Sequence, residues 1–360
     1  MPILSIELSA VAAGSDVYLF LAGMMLLSEA GRRGGFFDYV ATHAVNLARG
    51  SARRLFSLIY AAGTLVTIFL SNDATAVVLT PAVLAAARKA QTRAMPLLFI
   101  CAFVANAASF VLPISNPANL VVFGRDLPAL GGWLHRFALS SALAIILTYA
   151  ALRWTQRRSL EGYCAQRLEV SPLRFDGWAA AIGIGLTAVA LPIVSALGVS
   201  LGLPTAICGV TTAACVAAFD RRALLPMLRS VQWSILALVA ALFAGMEFVL
   251  RSGVLRGTTK WIENAVVIAL LSNAINNLPV ALLARNLLAS SHATARAIDG
   301  ALIGVDLGPN LCVTGSLATI LWLGALRREG ERLSFLAFLR VGIVVMPPAL
   351  VAALAARWLL

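Results

Sequence analysis

Two stretches decide how this chain is read: FLSNDATAVVLTP, from Phe69 to Pro81, and LLSNAINNLPVALL, from Leu270 to Leu283. Each sets Ser, Asn and a helix-breaking proline into otherwise apolar sequence. Ser71 and Asn72 recur as Ser272 and Asn273, 201 residues later, and Ser115 in LPISNPANL meets Ser316 in CVTGSLAT at the same displacement. A third echo, AGM at Ala22 to Met24, returns at Ala244 to Met246. Polar, turn-forming clusters placed twice in hydrophobic sequence mark the duplicated broken helices found at the midplane of secondary transporters. The competing reading is two unrelated loops at the membrane surface.

Composition agrees. Hydrophobic residues make up 60% of the 360 residues and charged residues 12%, with a mean hydropathy of +0.89. A soluble domain carries about a quarter charged residues, so this is an integral membrane protein. At roughly 20 apolar residues per crossing, about eight to ten transmembrane helices fit, with no room for a large soluble domain. The net charge of +12 does not imply nucleic acid, because the 28 Lys and Arg sit mostly in short connections between apolar runs, where they orient helices. The first residues carry Glu7 and Asp16 in place of the basic start of a signal peptide and read as a retained first helix. Cys101, Cys164, Cys208, Cys215 and Cys312 show no CxxC or CxxH spacing, so neither a metal site nor a disulfide framework is expected, and no cofactor is called for.

The longest polar stretch, WTQRRSLEGYCAQRLEVSPLRFDGW from Trp154, is rich in arginine and reads as cytoplasmic. It divides the chain into a first repeat over 1–152 (scaffold helix, hairpin, broken helix), a linker over 153–176 and a second repeat over 177–360. Gly34 to Ser51 is too polar to span and reads as an interfacial amphipathic helix. Pro113 and Pro117 cannot both continue a regular helix, and Gly304, Gly308, Pro309 and Gly315 crowd the matching region of the second half. The fold expected is an all-α polytopic membrane protein of two inverted repeats, each with a re-entrant hairpin and a broken helix.

Asp73 and Asp306 are the acids inside the apolar breaks, where a carboxylate costs roughly 2.5–3.5 kcal/mol on insertion scales. Such a group can take up and release a proton and couple its gradient to a solute; the bland reading is that each caps a half-helix. Glu247, within a long apolar run, is a third proton-coupling candidate, whereas Glu29 beside a basic loop reads as interfacial. Asn72, Thr75, Asn116, Asn119, Asn273, Asn276, Asn277 and Asn310 offer neutral donors and acceptors, with hydroxyls from Ser115, Thr314 and Ser316. The set suits a neutral polyhydroxylated solute or a dehydrated cation, and half-helix N-termini would also suit an oxyanion. An intramembrane aspartyl protease fails on its motif, since Val305 separates Gly304 from Asp306 where Gly-x-Gly-Asp is required. No HExxH, GxSxG or Walker loop appears. A channel fits duplicated breaks and a membrane acid less well than alternating access does.

At these same residues the chain resembles the arsenite/antimonite efflux permeases of the ion-transporter superfamily. GVDLGPNLCVTGSLATILWLGALRREG, Gly304 to Gly330, is similar to that family's signature, with support from SNDATAVVLTP, SNPANLVV and NNLPVALL. The resemblance implies a scaffold and a transport domain, an elevator-like motion, and proton-coupled export of trivalent arsenic and antimony hydroxides across the bacterial cytoplasmic membrane. It leaves a homodimer and an ATPase subunit open. Carried over residue by residue, the substrate region takes Asn72, Asp73, Ser115 and Asn116 from one half and Asn276, Asn277, Asp306, Thr314 and Ser316 from the other. The chain begins one or two helices later than family members usually do, which bears on the helix count and on a scaffold dimer. Asn310 stands where a lysine is common, which changes the charges the site tolerates. The alternatives within the same fold are a sodium/proton antiporter and a dicarboxylate transporter.

Overall fold

The computed structural model describes residues 2–220, 264–291 and 293–359, residues 222 and 224–230, and scattered positions from 233 to 252; for 2–14 it describes the backbone alone. Among these residues the secondary structure is helical, with one isolated bridge between Ser51 and Tyr163. Five described helices are long and apolar enough to cross a membrane: α3 (Ala52–Phe69), α8 (Leu130–Thr155), α9 (Phe175–Ala196), α10 (Gly202–Phe219) and α16 (Phe335–Leu359). Between them lie α1 (Pro2–Arg33), α2 (Phe36–Ala48), α4 (Asn72–Ala74), α5 (Thr80–Lys89), α6 (Ala94–Ala107), α7 (Pro117–Phe123), α11 (Leu224–Ser230), α12 (Ala265–Ile275), α13 (Asn277–Ser290), α14 (Ala295–Leu307) and α15 (Leu317–Arg328).

The two halves run the same sequence of parts. In the first, α3 and α4–α5 form a hairpin, α6 and α7 form a helix broken over residues 108–116, and α8 returns. In the second, α12 and α13 form the hairpin, α14 and α15 the broken helix, and α16 the return. Local chemistry sets each boundary. Ser51 caps α3 by accepting from the Arg54 amide at 3.3 Å. Pro81 has no amide to donate one turn back, and the backbone between α4 and α5 widens into a π turn over Thr75–Leu79, where the Thr67 and Thr75 hydroxyls bond at 2.8 Å. Pro117 occupies the first turn of α7, where its missing amide costs nothing.

Hydrogen bonds fix the relative direction of the halves. Both ends of the first hairpin are bound to the 157–168 connection, Cys164 N–H to Gly50 O at 3.0 Å and Ala165 N–H to Ala90 O at 2.9 Å, so this hairpin enters and leaves on one face. The Arg88 guanidinium reaches the Glu329 carbonyl at 2.7 Å and the Glu331 carboxylate at 3.1 Å, which places the end of α15 on that face too. On the opposite face buried Asp299, near the start of α14, pairs with Arg357 at the end of α16 and with Arg136 at the start of α8, at 2.8 and 3.4 Å. The second hairpin therefore opens to the face opposite the first, and the repeats are inverted. The face with the connection carries Arg49, Arg53, Arg54, Arg88, Arg153 and Arg157 among others, which assigns it to the cytoplasm.

The expected displacement of 201 does not survive. The hairpin tips that correspond are Ser71 and Asn276, each the N-cap of the returning arm with positive φ (139° and 78°). At the breaks, Asn116 and Ser316 correspond as the N-caps of α7 and α15. The hairpins are thus one helical turn out of the register that repeated letters indicate, and the counterpart of Asp73 is Leu278. Interlocking holds the halves together: α5 and the π turn pack on α15, and α13 packs on α7. At their centre α6 is buried over its whole length from Pro96, and Trp322 of α15 donates to the Leu98 carbonyl at 3.0 Å.

To one side α1 lies along α10. Gly23 and Gly209 let the two backbones approach, and a Cβ on either would collide with the other helix. α2 buries Phe37, Ala41, Ala44, Val45 and Ala48 as one stripe, and Asn46 is bound to the backbone of Leu168 in both directions, at 2.7 and 3.0 Å. The amphipathic helix expected between Gly34 and Ser51 is this element.

Inversion is checked by labelling. With the five native cysteines replaced by serine, a membrane-impermeant maleimide applied to intact cells is expected to modify Ser290→Cys and spare Arg93→Cys. Everted vesicles should reverse the pattern, and labelling of both from one side would refute the inverted arrangement.

Candidate functional site

The first hairpin turns at Leu70 and Ser71. Ser71 Oγ accepts from the Ala74 amide at 3.4 Å, and Ser115 Oγ from the neighbouring break donates to the Ile68 carbonyl at 2.9 Å, which pins tip to break. Asp73 stands at the second position of the returning arm. Its carboxylate makes no hydrogen bond or ion pair with any described residue and faces a cavity of about 750 Å³. The cavity floor is formed by Ser71, Asp73, Ala74 and Pro117, and its walls by Phe20, Met24, Val78 and Leu321. Towards the cytoplasmic face it is lined by Glu29, Arg32, Asp38, Arg229, Arg328 and Glu329. Glu29 is 7% exposed and is taken up by Arg32 at 2.6 and 2.7 Å and Arg33 at 2.8 Å. Its charge is therefore neutralised locally, and of the acids that line the cavity Asp73 is the one left unpaired at depth among the described residues.

The second hairpin is stapled to its own break. Asn273 Nδ2 donates to the carbonyls of Ala269 and Gly308 at 2.8 and 2.9 Å, and its Oδ1 accepts from the Cys312 amide at 2.9 Å. Thr314 Oγ1 donates to the Asn273 carbonyl at 3.0 Å, and Asn276 Nδ2 reaches the Thr314 carbonyl at 3.3 Å. Gly308 is required here, since a Cβ would strike the Ala269 carbonyl. Ser316 caps α15 in a reciprocal box with Thr319. Asn273, Asn276, Thr314 and Ser316 thus close off backbone groups that the break frees.

A third cluster joins the two breaks across the repeat interface. Asn116 Nδ2 donates to Asp306 Oδ1 at 2.5 Å, Asn106 Nδ2 donates to Asn310 Oδ1 at 3.0 Å, and Asn310 Nδ2 donates to the Phe103 carbonyl at 3.1 Å. Ser109 Oγ donates to the Asn106 carbonyl at 2.7 Å, and the Ser109 carbonyl accepts from Asn119 at 2.8 Å. Asp306, Asn106, Asn119 and Asn310 are all 0% exposed, and none of them lines the cavity.

The structure therefore divides the residues singled out in the sequence. Asp73 meets the cavity; Asn72 and Thr75 are buried behind it in the same arm; Ser115 pins the first hairpin tip to its break; Asn116, Asn119, Asp306 and Asn310 form the inter-repeat cluster; Asn273, Asn276 and Thr314 staple the second hairpin to its break, Ser316 caps α15, and Asn277 is buried in the second hairpin's returning arm. Glu247 lies outside the described residues. Sequence reading missed Asn106 and Ser109. Asn106 is the counterpart of Asp306 once the breaks are aligned through Asn116 and Ser316, a match that the displacement of 201 conceals.

The family described as citrate transporter (CitMHS) matches residues 1–307. An arsenical pump membrane protein of Escherichia coli is 29% identical over 360 aligned residues, covering 92% of this chain and 82% of the relative. A transporter of Mycobacterium tuberculosis, named as uncharacterized, is 25% identical, with coverage of 96% and 86%. Among solved structures, the crystal structure of the YdaH transporter of Alcanivorax borkumensis shares the fold, with a TM-score of 0.63 and 16% identity over 99% of this chain and 87% of that one.

Asn116→Ala removes the amide that donates to the buried Asp306 carboxylate and should cost about 1–3 kcal/mol of stability, the penalty for an unsatisfied buried acceptor. Thermal unfolding in detergent is expected to show a clear loss for Asn116→Ala and a smaller one for Ser71→Ala, whose hydroxyl makes one long bond.

Proposed function

The chain belongs to the citrate transporter family, and we propose that this secondary transporter exports arsenite and antimonite, as trivalent hydroxides, in exchange for protons. The relatives named as arsenical pumps, matched over nine-tenths of the chain, support the substrate. The observation that carries the coupling is Asp73, a carboxylate free of partners among the described residues at the end of a cavity that opens towards the cytoplasmic face.

Arsenious acid is uncharged at neutral pH and presents three hydroxyls, each able to donate and accept. A floor of hydroxyl and carbonyl groups beside one carboxylate can exchange hydrogen bonds with it without opposing a net charge. In the state open to the cytoplasm, Asp73 releases its proton into the cavity and the solute hydroxyls donate to the carboxylate. In the state open to the other side, the higher proton activity reprotonates Asp73, removes that acceptor and frees the solute. Each turnover thus moves a proton in and a solute out. The cavity lies between the α1 side of the molecule and the hairpin core, which supports an elevator-like movement of the core, hairpins and breaks together, past α1, α9 and α10. We place the protein in the bacterial cytoplasmic membrane.

A second reading is a carboxylate transporter coupled to a cation. It is favoured by the four half-helix N-termini capped by Ser71, Asn116, Asn276 and Ser316, whose partial positive charge suits a carboxylate.

Everted vesicles energised by respiration separate the two. Arsenite should accumulate inside, an uncoupler should abolish the accumulation, and labelled citrate should neither accumulate nor compete. Asp73→Asn is expected to reduce accumulation at least tenfold with unchanged protein level and melting temperature. Citrate uptake without arsenite uptake, in vesicles with a verified gradient, would transfer the assignment to the second reading.

A further inference from the structure

The cluster between the two breaks presents oxygens and few free donors. Asp306 Oδ2, Asn106 Oδ1 and Asn119 Oδ1 are each buried and without a hydrogen-bond partner. They belong to one connected group. Asn116, the N-cap of α7, and Asn119 in its first turn lie side by side, and Asn116 holds Asp306 Oδ1. Asp306 in the last turn of α14 and Asn310 just after it lie a turn apart, and Asn310 accepts from Asn106. Ser109 closes the circuit, with its hydroxyl on the Asn106 carbonyl and its carbonyl on Asn119.

The hydrogen bonds of the four asparagine amides all go to acceptors other than these three oxygens. Asn106 gives its bond to Asn310, Asn310 to Phe103, and Asn119 to the carbonyls of Ser109, Leu112 and Pro113, while Asn116 serves the other carboxylate oxygen. No Lys or Arg among the described residues pairs with Asp306. A buried carboxylate without a counter-ion is costly at membrane depth, and unpaired amide oxygens beside it add to the cost. A proton on Asp306 would satisfy one of those oxygens as well as itself. A small dehydrated cation held among them would take these oxygens as ligands and neutralise the charge.

We propose that Asp306, Asn106 and Asn119 form a binding site for a monovalent alkali cation, of which sodium has the size and oxygen preference that fit, joining the broken helices of the two repeats. Its ligands would be Asp306 Oδ2 and the side-chain oxygens of Asn106 and Asn119, with carbonyls of the broken backbone completing the shell. Both repeats contribute ligands, so the bound cation ties the halves together where each is weakest. Asp306, Asn106 and Asn119 do not line the cavity that Asp73 faces, and the proposal stands whether the transported solute is a metalloid hydroxide or a carboxylate.

The test needs no transport. Purified full-length protein in detergent is titrated with NaCl at ionic strength held constant with choline chloride, and thermal unfolding is followed at each step; binding of ²²Na⁺ is measured in parallel. Sodium should raise the melting temperature saturably, potassium should do so at concentrations at least tenfold higher, and radioactive sodium should bind and be displaced by unlabelled sodium. Asp306→Asn should abolish both effects. Asn106→Leu, which keeps the carboxylate and removes an amide oxygen, should raise the half-saturating concentration at least tenfold, and it serves if Asp306→Asn does not fold. Absence of a sodium-specific response in the wild type overturns the proposal, as does an undiminished response in both variants. Stabilisation by acid with none by sodium would assign a proton to Asp306 in place of the cation.

Discussion

A helix interrupted inside hydrocarbon frees amides and carbonyls that water cannot reach, and each left unpaired costs several kcal/mol. The rest of this structure depends on how that debt is met. Asn273 takes up the carbonyls of Ala269 and Gly308 and the amide of Cys312, Asn119 takes up three carbonyls around the first break, and Ser115 takes up that of Ile68. Many of the side chains singled out in the sequence as a substrate site serve here as partners of freed backbone groups. Among what is left over after that work are the Asp73 carboxylate, the unpaired side-chain oxygens of Asn72 and Asn277 in the two hairpins, and the unpaired oxygens near Asp306, where chemistry with an outside species remains open.

Inversion and interlocking follow from the same constraint. A hairpin that does not cross must be covered on its lipid side and closed at its tip, and here each hairpin's returning arm is covered by the broken helix of the other repeat. Neither half is a finished unit. The contacts that close the centre, Asn116 with Asp306 and Asn106 with Asn310, each take one residue from each half. The faces differ in how they are secured. The cytoplasmic end of the first hairpin is crossed by the 157–168 connection, whereas the opposite face is held by the buried pairing of Asp299 with Arg357 and Arg136.

Much of the architecture is legible in the sequence because hydrophobic runs, prolines and arginines act locally. The breaks at Pro113 and Pro117 and the amphipathic stripe of α2 are properties of short segments, and the cytoplasmic linker is one of composition. The register of the repeats is not legible, since Ser and Asn serve equally at a cap, at a tip or one turn before it, and matching letters align Ser71 with Ser272 when the matching conformation is at Asn276. For the same reason the candidate residues read as one site. Which of many asparagines faces a cavity and which faces a carbonyl depends on long-range packing, and Asn106, set alone in an apolar run, carries no local signal of its pairing with Asn310 across the molecule.

The pairing of the halves bears on how the protein is made. When residues up to the linker have emerged, the first hairpin and first broken helix can be inserted and strapped by Cys164 and Ala165, yet the amides of Asn106 and Asn116 still await Asn310 and Asp306, some two hundred residues downstream. The nascent first half must wait in the bilayer with polar groups uncovered. It is in this interval, before the last third of the chain arrives, that the insertion machinery or a membrane chaperone would be needed most, and that a stalled ribosome would leave a product marked for proteolysis.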